Sequence, residues 1–348
     1  MKKLNVIDLA QQEGRVITDY FLVLSKDTRT TSDGKPYLAL KLSDRTGQME
    51  ARVWDINADI EEFAADDLVK VEGQVDAYRG QTQMKVRRIR RVRDGEAELV
   101  DFLPATREDV DALYEELLNV ARSVNREPLQ TLLLAVLTDE ELVPRLKRAP
   151  GGKKIHHAVL GGLLEHIVSL CRVCRLAAEN YPDVDLDLLL TGAVLHDIGK
   201  VQELSYDRGF DYTTEGKLVG HINLGLEFLN QKMDEIAGFP HTLRLLVQHM
   251  ILSHHGRLEF GSPVTPRFRE AIMLHYLDDL DSKLAAVRAE LEGAEAAGKA
   301  GEWTDWNRAL ERPLLRQERF LEEALEEAPP AEELFPHEPE PARKAKKR

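Results

Sequence analysis

The spacing of apolar residues changes once along this chain, and the change divides it into two regions that cannot fold alike. In residues 15–92, apolar and polar residues alternate in short runs separated by turn signals, as in strands with one buried face. From Val110 onward, apolar residues recur at the three- and four-residue spacing of helices. The chain has 348 residues, which is enough for more than one hydrophobic core. We therefore expect a multidomain protein, with an all-β region followed by an all-α region.

Five strand-like runs make up the first region, at residues 15–24, 37–42, 49–54, 68–75 and 83–92. Asp33-Gly34 is a turn sequence after the first run, and residues 44–47 form another after the second. Residues 56–64 are predicted to form a short helix before the fourth strand. Five strands with a helix in that position indicate an OB-fold, which is a small barrel.

The second region contains seven runs at helical spacing, at residues 110–124, 129–137, 163–178, 186–195, 222–233, 243–251 and 268–284. We expect residues 1–95 to form the barrel, 96–155 to form a linker and bridging helices, and 156–325 to form the helical domain. Residues 326–348 are rich in Glu, Pro and Ala and then Lys. Such a composition cannot bury enough apolar surface to fold, so a disordered tail is predicted there.

The charge of the chain limits what it can bind. Its net charge of -14 opposes nonspecific coating of nucleic acid, so a phosphate-bearing substrate must meet local cations or a bound metal. The two cysteines, Cys171 and Cys174, are too few for a zinc knuckle and are predicted to be buried thiols. The sequence shows neither a secretion signal nor an apolar run that could span a membrane, which favours a cytoplasmic protein without a membrane partner.

Histidines are confined to the helical region. None of the 11 histidines precedes His156, and all but His337 lie between His156 and His275. Among them stand a Glu-His pair, a His-Asp pair and a later Asp-Asp-Leu-Asp run, and these supply possible ligands for one metal ion. The candidate ligands are His166, His196, Asp197 and Asp278. Imidazole and carboxylate ligands in this mixture suit Mn, Fe, Co, Ni or Zn better than Mg or Ca alone.

Two further histidines are candidates for a second ion. His221 and His254 would bind it, with Asp197 bridging both ions, although His255 beside His254 is an alternative ligand. Asp279 or Asp281 would replace Asp278 under a different register of that run. Two ions about 3.5–4 Å apart can activate a water and neutralise the oxygens of a phosphoryl group. The pattern thus indicates phosphoester hydrolysis with one or two ions.

The order of these groups, H…HD…H…HH…D, resembles the HD phosphohydrolase superfamily. Within it, Gly-Gly-Leu-Leu-Glu-His at residues 161–166, Leu-His-Asp-Ile-Gly-Lys at 195–200, Gly-His-Ile at 220–222 and Ser-His-His-Gly at 253–256 are similar to the YhaM-type 3′-to-5′ exoribonucleases. Those enzymes also carry an amino-terminal OB domain. Cyclic-diguanylate hydrolases of the HD-GYP type have a Gly-Tyr-Pro run, where this chain has Gly-Ser-Pro at 261–263.

The resemblance implies roles for individual residues. It assigns the first metal to His166, His196, Asp197 and Asp278, and a second to His221 and His254. Asp197 and Lys200 are the candidate catalytic residues, because the Lys200 ammonium lies one helical turn after the His-Asp pair and could donate to a nonbridging phosphate oxygen. An exposed helix-end lysine is the alternative reading of Lys200. Manganese is the first choice among the transition ions.

The barrel region contains candidate contacts for single-stranded nucleic acid. OB barrels stack bases on aromatic side chains within a cationic groove. The candidates are Tyr37, Tyr78, Arg79, Arg88 and Arg90. Trp54 is predicted to lie in the barrel core. The basic last strand has two other readings, a solvated edge or a domain interface, and an OB barrel can also bind protein.

Together these features predict a metal-dependent 3′-to-5′ exoribonuclease that hydrolyses single-stranded RNA, and in addition single-stranded DNA, to nucleoside monophosphates. Direction and RNA preference come from the resemblance. One alternative is an HD-type nucleotide or cyclic-nucleotide phosphohydrolase with a regulatory OB domain. Another is a noncatalytic nucleic-acid-binding adaptor. A homo-oligomer is compatible with each of these.

Overall fold

The computed structural model describes residues 3–57, 59–78, 81–93, 95–97, 102–152, 159–206, 210–296, 298, 301–307 and 310–321. The chain divides into two compact units, Met1–Ala285 and Ala286–Arg348. The first unit contains the barrel and the helices that carry the clustered histidines. Within the described part of the chain, every helix is too short or too polar to cross a membrane.

Five strands form the predicted barrel. They are β1 (Val16–Thr30), β2 (Pro36–Asp44), β3 (Gly47–Val53), β4 (Leu68–Tyr78) and β5 (Gln81–Arg91). The barrel closes in the order β1-β2-β3-β5-β4, because β4 also pairs with β1. Only the β3–β5 pair is parallel, whereas the other named pairs are antiparallel. This is the order of an OB-fold, so the prediction from alternating apolar residues is confirmed.

The ends of the barrel are closed differently from our prediction. Residues 56, 57 and 59–64, where the segment is described, form turns and a single bridge rather than a helix. Ile60 pairs with Ile89 of β5, and the Asn57 side chain accepts a hydrogen bond from the backbone of Asp59, which favours a turn. Phe63 is then buried in the barrel core. A 3-10 helix at Val6–Gln12, which the alternation did not predict, adds Leu9 to the same core.

Ten helices and one short hairpin are described after the barrel. The helices are α1 (Val110–Ser123), α2 (Glu127–Leu137), α3 (Leu142–Leu146), α4 (Gly162–Asn180), α5 (Leu186–Leu195), α6 (Lys200–Glu203), α7 (Thr214–Val219), α8 (His221–Glu235), α9 (His241–Ser253) and α10 (Arg269–Ala296). The hairpin consists of β6 (Leu204–Ser205) and β7 (Asp211–Tyr212). All seven predicted helical runs lie within or overlap these helices.

Helix α5, which leads to the His196-Asp197 pair, lies in the helical core. Helix α5 begins where the Asp185 carboxylate accepts a hydrogen bond from the backbone of Leu188, and it is apolar on nearly every side. Its residues from Leu188 to Leu195 are all buried, so its carboxyl end lies inside the protein. Helices α1 and α2 belong to the same core, although they fall in the segment assigned to bridging helices. Cys171 and Cys174 of α4 are buried there, and burial raises the pKa of the Cys171 thiol to about 12.

A separate apolar cluster joins the barrel to the helical part of the first unit. Tyr20 and Leu22 of β1 pack in it with residues that follow the barrel, namely Phe102, Leu103 and Leu160. Two residues next to the short hairpin strands pack against the same cluster, Tyr206 after β6 and Phe210 before β7. The hairpin therefore packs against the apolar cluster through Tyr206 and Phe210. At its other end, Tyr212 lines a cavity that also contains several of the histidines.

Candidate metal centre

The His196-Asp197 pair lies directly after α5, and both residues are almost completely buried. The next turn starts α6 and passes very close to the first turn of α8. A Cβ atom on Gly199 would lie 2.0 Å from the backbone oxygen of His221, so only glycine fits this contact. The glycine of the HD-x-G sequence thereby places His221 beside Asp197, although 24 positions separate these two residues in the chain.

Four predicted ligands form one group. The Nε2 atoms of His166 and His196 are 3.3 Å apart. Asp278 Oδ1 lies 3.2 Å from His166 Nε2 and 3.7 Å from His196 Nε2. Asp197 Oδ2 lies 3.2 Å from His196 Nε2 and 3.9 Å from His166 Nε2. These spacings bring two imidazole nitrogens and two carboxylate oxygens around one point, which is the donor set expected for a transition metal.

A second group lies on the other oxygen of Asp197. Asp197 Oδ1 is 3.4 Å from His221 Nε2 and 3.6 Å from His254 Nε2. His255 joins His221 and His254 in a cluster whose ligand atoms all lie within 4.8 Å of one another. The two groups therefore share the Asp197 carboxylate, with one oxygen turned toward each.

Every imidazole in the two groups donates from Nδ1. Each partner is an oxygen that can only accept. His166 donates to the Asp281 carboxylate at 2.8 Å, and His221 donates to the Glu203 carboxylate at 3.1 Å. The other three donate to backbone oxygens: His196 to Ala193 at 2.9 Å, His254 to Ile251 at 2.7 Å and His255 to Phe260 at 2.8 Å. A neutral imidazole with its proton on Nδ1 presents a lone pair at Nε2. Metal-binding histidines are usually oriented in this way by an outer partner.

Among the residues that the structure describes, three polar atoms at the shared carboxylate have no hydrogen-bond partner. They are Asp197 Oδ1, His221 Nε2 and His254 Nε2, and all three are buried. A buried polar atom without a partner is costly, and such atoms are rare in folded proteins. Lone pairs that converge without a donor fit a cation. The residues present therefore fit a divalent metal on the Asp197 side that faces His221 and His254.

The charges of the first group also favour a cation. Burial raises the pKa of Asp197, but Lys200 and His196 outweigh it and hold that pKa well below its usual range. Burial also raises the pKa of Asp278, yet His196 and His166 lower it far more. For His166, burial lowers the pKa, whereas Asp278 and Asp281 raise it to about 9. Both ligand carboxylates are thus ionised at neutral pH, and a metal would replace the His166 proton.

Several of the candidate metal ligands line a cavity of about 690 Å³. Its lining includes Asp197, Lys200 and Asp278, and it also includes Tyr212, Phe260 and four histidines, which are His221, His254, His255 and His275. The size lies in the range of small-molecule sites, which is roughly 300–1,000 Å³. A nucleotide-sized group can therefore reach the histidines of the second group and, in the first group, the carboxylates of Asp197 and Asp278.

Comparison with known proteins identifies the family. The model of the HD domain matches residues 163–283, and that of the OB-fold nucleic acid binding domain matches residues 22–92. The 3'-5' exoribonuclease YhaM of Bacillus subtilis (strain 168) is 35% identical over 305 residues, which cover 87% of this chain and 95% of that relative. The chain belongs to the YhaM family. The 3'-5' exoribonuclease YhaM of Geobacillus sp. (strain WCH70) is 37% identical over 303 residues, which cover 86% of this chain and 90% of that relative.

Membership in the YhaM family confirms the predicted resemblance and the predicted order of an OB barrel followed by an HD domain. The HD domain, together with the histidine and aspartate groups described above, indicates dependence on a divalent metal. The roles of individual residues stay predictions. The structure shows where each of the alternative ligands lies. His254 and His255 both lie in the second group, while Asp279 forms an ion pair with Lys283.

Lys200 is placed at the shared carboxylate of the YhaM-family site. Its Nζ lies 2.6 Å from Asp197 Oδ2 and donates a hydrogen bond to the backbone oxygen of Gly151 at 2.8 Å. The side chain is only 13% exposed, so the alternative of a solvated helix-end lysine does not describe it. Lys200 is nevertheless one of the residues that line the cavity.

Sequence reasoning missed the two carboxylates that accept hydrogen bonds from the Nδ1 atoms of His166 and His221. Glu203 accepts hydrogen bonds from both the backbone and the ring of His221, and it is buried. Asp281 accepts from His166 and also from the Ser169 hydroxyl at 2.6 Å. Asp281 was considered only as a substitute for Asp278. Its place in the Asp-Asp-Leu-Asp run, one helical turn after Asp278, was the available signal, whereas Glu203 had none.

The barrel surface carries an aromatic pair. The rings of Tyr37 and Trp54 stack with centroids 4.7 Å apart, and the Arg52 guanidinium lies 5.6 Å from the Trp54 ring. The prediction that Trp54 belongs to the core is wrong, because its side chain is 45% exposed. Trp54 follows the last residue of β3, where alternation between the two faces of the strand ends.

The predicted basic contacts differ from one another. Arg88 is exposed and lies 3.7 Å from Asp59, so it faces solvent with a weak partner. Arg90 instead forms two hydrogen bonds with the Glu96 carboxylate, at 2.8 and 2.7 Å. Its guanidinium is therefore engaged within the protein. Arg79 and the Tyr78 side chain lie outside the described residues.

Proposed function

We propose that this protein is a metal-dependent 3′-to-5′ exoribonuclease that releases nucleoside monophosphates from single-stranded RNA in the cytoplasm, with manganese as its preferred ion. Cobalt, iron, nickel and zinc are the alternatives. Support comes from the YhaM relatives, which match almost from end to end. The observation that carries the proposal is the shared Asp197 carboxylate, which turns one oxygen toward each histidine group.

The candidate metal ligands fall into two sets, one for each ion. His166, His196, Asp197 and Asp278 would bind a first ion, and His221 and His254 a second, with Asp197 between them. When bound, divalent ions act as Lewis acids that activate water and neutralise phosphate oxygens. His255 also presents Nε2 to the second group. Burial and its histidine neighbours lower the pKa of His255 to about 4, so that ring is neutral at pH 7.

Lys200 would orient the phosphate. Burial lowers the pKa of Lys200, but Asp197, Asp278 and Glu203 together raise it above its ordinary value, so the ammonium is charged at neutral pH. Because Lys200 is one of the residues that line the cavity, its ammonium could donate to a nonbridging oxygen of the scissile phosphate. Hydrolysis breaks the bond from phosphorus to the 3′ oxygen, so the nucleotide leaves with a 5′-phosphate. The shortened strand keeps a new 3′-hydroxyl.

The barrel would hold the strand that the cavity shortens. Tyr37 and the exposed Trp54 form an aromatic stack with the Arg52 guanidinium close to it, and the exposed Arg88 adds positive charge on β5. Stacking does not depend on base identity or on the sugar. We therefore expect single-stranded DNA to bind as well, with RNA as the main substrate.

The test uses single-stranded RNA labelled at one end. A 3′-to-5′ exonuclease acting on 5′-labelled RNA produces a ladder that shortens with time, whereas 3′-labelled RNA loses its label at once as a mononucleotide. An immediate loss of the 5′ label, or internal cuts, would contradict the proposed direction. Hydrolysis of free nucleotides with intact RNA left over would favour the nucleotide phosphohydrolase, and no hydrolysis at all would favour the adaptor.

A further inference from the structure

Two aromatic residues in the wall of the metal cavity have no role in holding metal. Phe260 and Tyr212 line the cavity with 59% and 39% of their surface exposed. Single exposed aromatic residues are common on protein surfaces and do not by themselves indicate a binding site. These two, however, lie in the same cavity as the residues that would bind the phosphate.

Phe260 is held at a defined distance from the second histidine group. Its backbone oxygen accepts the Nδ1 hydrogen bond of His255 at 2.8 Å. The ring of His255 lies 4.2 Å from that of His254, measured between centroids. The same hydrogen bond therefore orients a candidate metal-binding imidazole and anchors the residue that carries the exposed ring.

The turn that carries Phe260 is shaped by its backbone. Gly256 and Gly261 flank it with φ angles of +76° and +87°, in a region that residues with a Cβ rarely adopt. Within the turn, the backbone of Phe260 donates to Arg257 at 3.1 Å and that of Gly261 to Leu258 at 3.0 Å. The Arg257 guanidinium lies 5.8 Å from the Phe260 ring. The ring is thus presented by an ordered turn and not by a loose chain end.

Tyr212 is presented by the β6–β7 hairpin, where it pairs with Leu204. Leu204 lines the same cavity. Phe260 and Tyr212 therefore come from two separate elements, one after α9 and one after α6, and both reach the space beside the metal ligands.

We infer that Phe260, supported by Tyr212, forms a stacking site for the base of the 3′-terminal nucleotide while the phosphate lies at the metal ligands. This inference rests on the proposed function and adds the part of the substrate that the cavity recognises. An aromatic ring accepts any base, because every base has a π-face. The site would therefore hold each terminal nucleotide in turn without selecting a sequence.

The test measures binding of the product with and without its base. Metal-loaded protein is titrated calorimetrically with adenosine 5′-monophosphate and with ribose 5-phosphate, which share the phosphate and differ by the base. Loss of one stacked base weakens binding about 5- to 150-fold. We expect a ratio of dissociation constants in that range for the wild type and for F260Y, and a ratio several-fold closer to one for F260A, in which Tyr212 alone remains beside the base.

Leu258→Ala is the matched control. Leu258 lies in the same turn, is 65% exposed and is not among the residues that line the cavity, so L258A should keep the wild-type ratio. A wild-type ratio in F260A, or a ratio near one in the wild type, would overturn the inference. The end-label experiment stands apart from this outcome, because RNA that shortens from its 3′ end without a base-dependent ratio leaves the proposed function intact.

Discussion

Asp197 is the residue on which both histidine groups depend. Asn at this position keeps the size of the side chain but removes its charge and one metal-binding oxygen. Loss of an outer partner of a metal ligand already costs about 10- to 100-fold in activity or affinity, so loss of the shared ligand should cost more than about 100-fold. We expect D197N to fold and to lose RNA hydrolysis to that extent. Steady-state rates, with circular dichroism as the control for folding, measure this, and near wild-type rates would contradict the assignment.

Glu203 and Asp281 should set the affinity of the two groups separately, because each backs one imidazole. E203Q removes the carboxylate behind His221, and D281N removes the one behind His166. Each change should weaken metal binding about 10- to 100-fold in its own group. Mn titration by calorimetry should show that a different binding event weakens in each variant. D279N is the matched control, since Asp279 pairs with Lys283 instead of a histidine, and equal weakening by D279N would contradict this role.

The candidate ligands that the structure brings together around Asp197 were easier to predict than the residues that position them. His166, His196 and Asp278 stand out in the sequence because histidine and aspartate are grouped in short motifs. Glu203 is a single glutamate at the end of a four-residue helix, and nothing local marks it as the partner of His221. Its role arises from the folded contact between α6 and α8, which a sequence shows only after the fold is known.

Among the elements, the contact between the start of α6 and the start of α8 controls the position of His221. Gly199→Ala would place a Cβ 2.5 Å from the backbone nitrogen of Gly225 and closer still to His221. We expect this overpacking to cost about 1–3 kcal/mol of unfolding free energy and to weaken metal binding at the second group. Urea unfolding and Mn titration measure the two effects. Gly293→Ala in α10 is the control, because its Cβ would meet open space. Unchanged stability in G199A would show that α6 can move away at no cost.

Strand β5 should contribute to RNA binding through Arg88 and to stability through Arg90. Removing one phosphate contact should reduce the slope of log affinity against log salt by about 0.7 for a single strand. We expect this reduction in R88A and not in R90A. Fluorescence anisotropy of chelated protein with labelled RNA at several salt concentrations tests it. An equal slope change in R90A would mean that Arg90 leaves Glu96 to bind RNA.

The pair of Arg90 and Glu96 also predicts a pH dependence. Hydrogen bonds from Arg90 and from the Arg93 backbone hold the pKa of Glu96 at about 2, below its usual value of 4.5. A lowered pKa in the folded state stabilises the protein fully above pH 4.5, and this contribution is lost as pH falls toward 2. The stability difference between wild type and E96Q should therefore be larger at pH 7 than at pH 3. Urea unfolding at the two values measures it, and a larger difference at pH 3 would contradict the ion pair.

Long elements followed their sequence patterns, and short ones did not. The five strands and seven helical runs could be placed because each buries a continuous face over several turns or pleats. Residues 56–64 were misread as a helix, since the bridge from Ile60 to Ile89 is a contact between distant positions. The β6–β7 hairpin has two residues in each strand, too few to show alternation. Both short segments depend on tertiary contacts.

For the whole molecule, the barrel should matter most for long substrates. Binding energy from nucleotides far from the cavity is available only when a strand reaches the barrel. Stacking on Trp54 contributes about 1–3 kcal/mol per base, so W54A should lower kcat/KM for a long RNA strand about 5- to 150-fold and leave a dinucleotide almost unaffected. Trp306→Ala is the control, because Trp306 is exposed outside the barrel. An unchanged ratio of kcat/KM between long and short substrates in W54A would favour a regulatory barrel.

The central claim is that metal bound around Asp197 removes nucleotides from the 3′ end of RNA. The most direct measurement follows 5′-labelled single-stranded RNA with chelated wild-type and D197N protein, before and after Mn is added back. We expect no shortening by either chelated protein, a 3′-to-5′ ladder from the wild type once Mn is restored, and no recovery in D197N. Full shortening by exhaustively chelated wild-type protein, or full recovery in D197N, would contradict it.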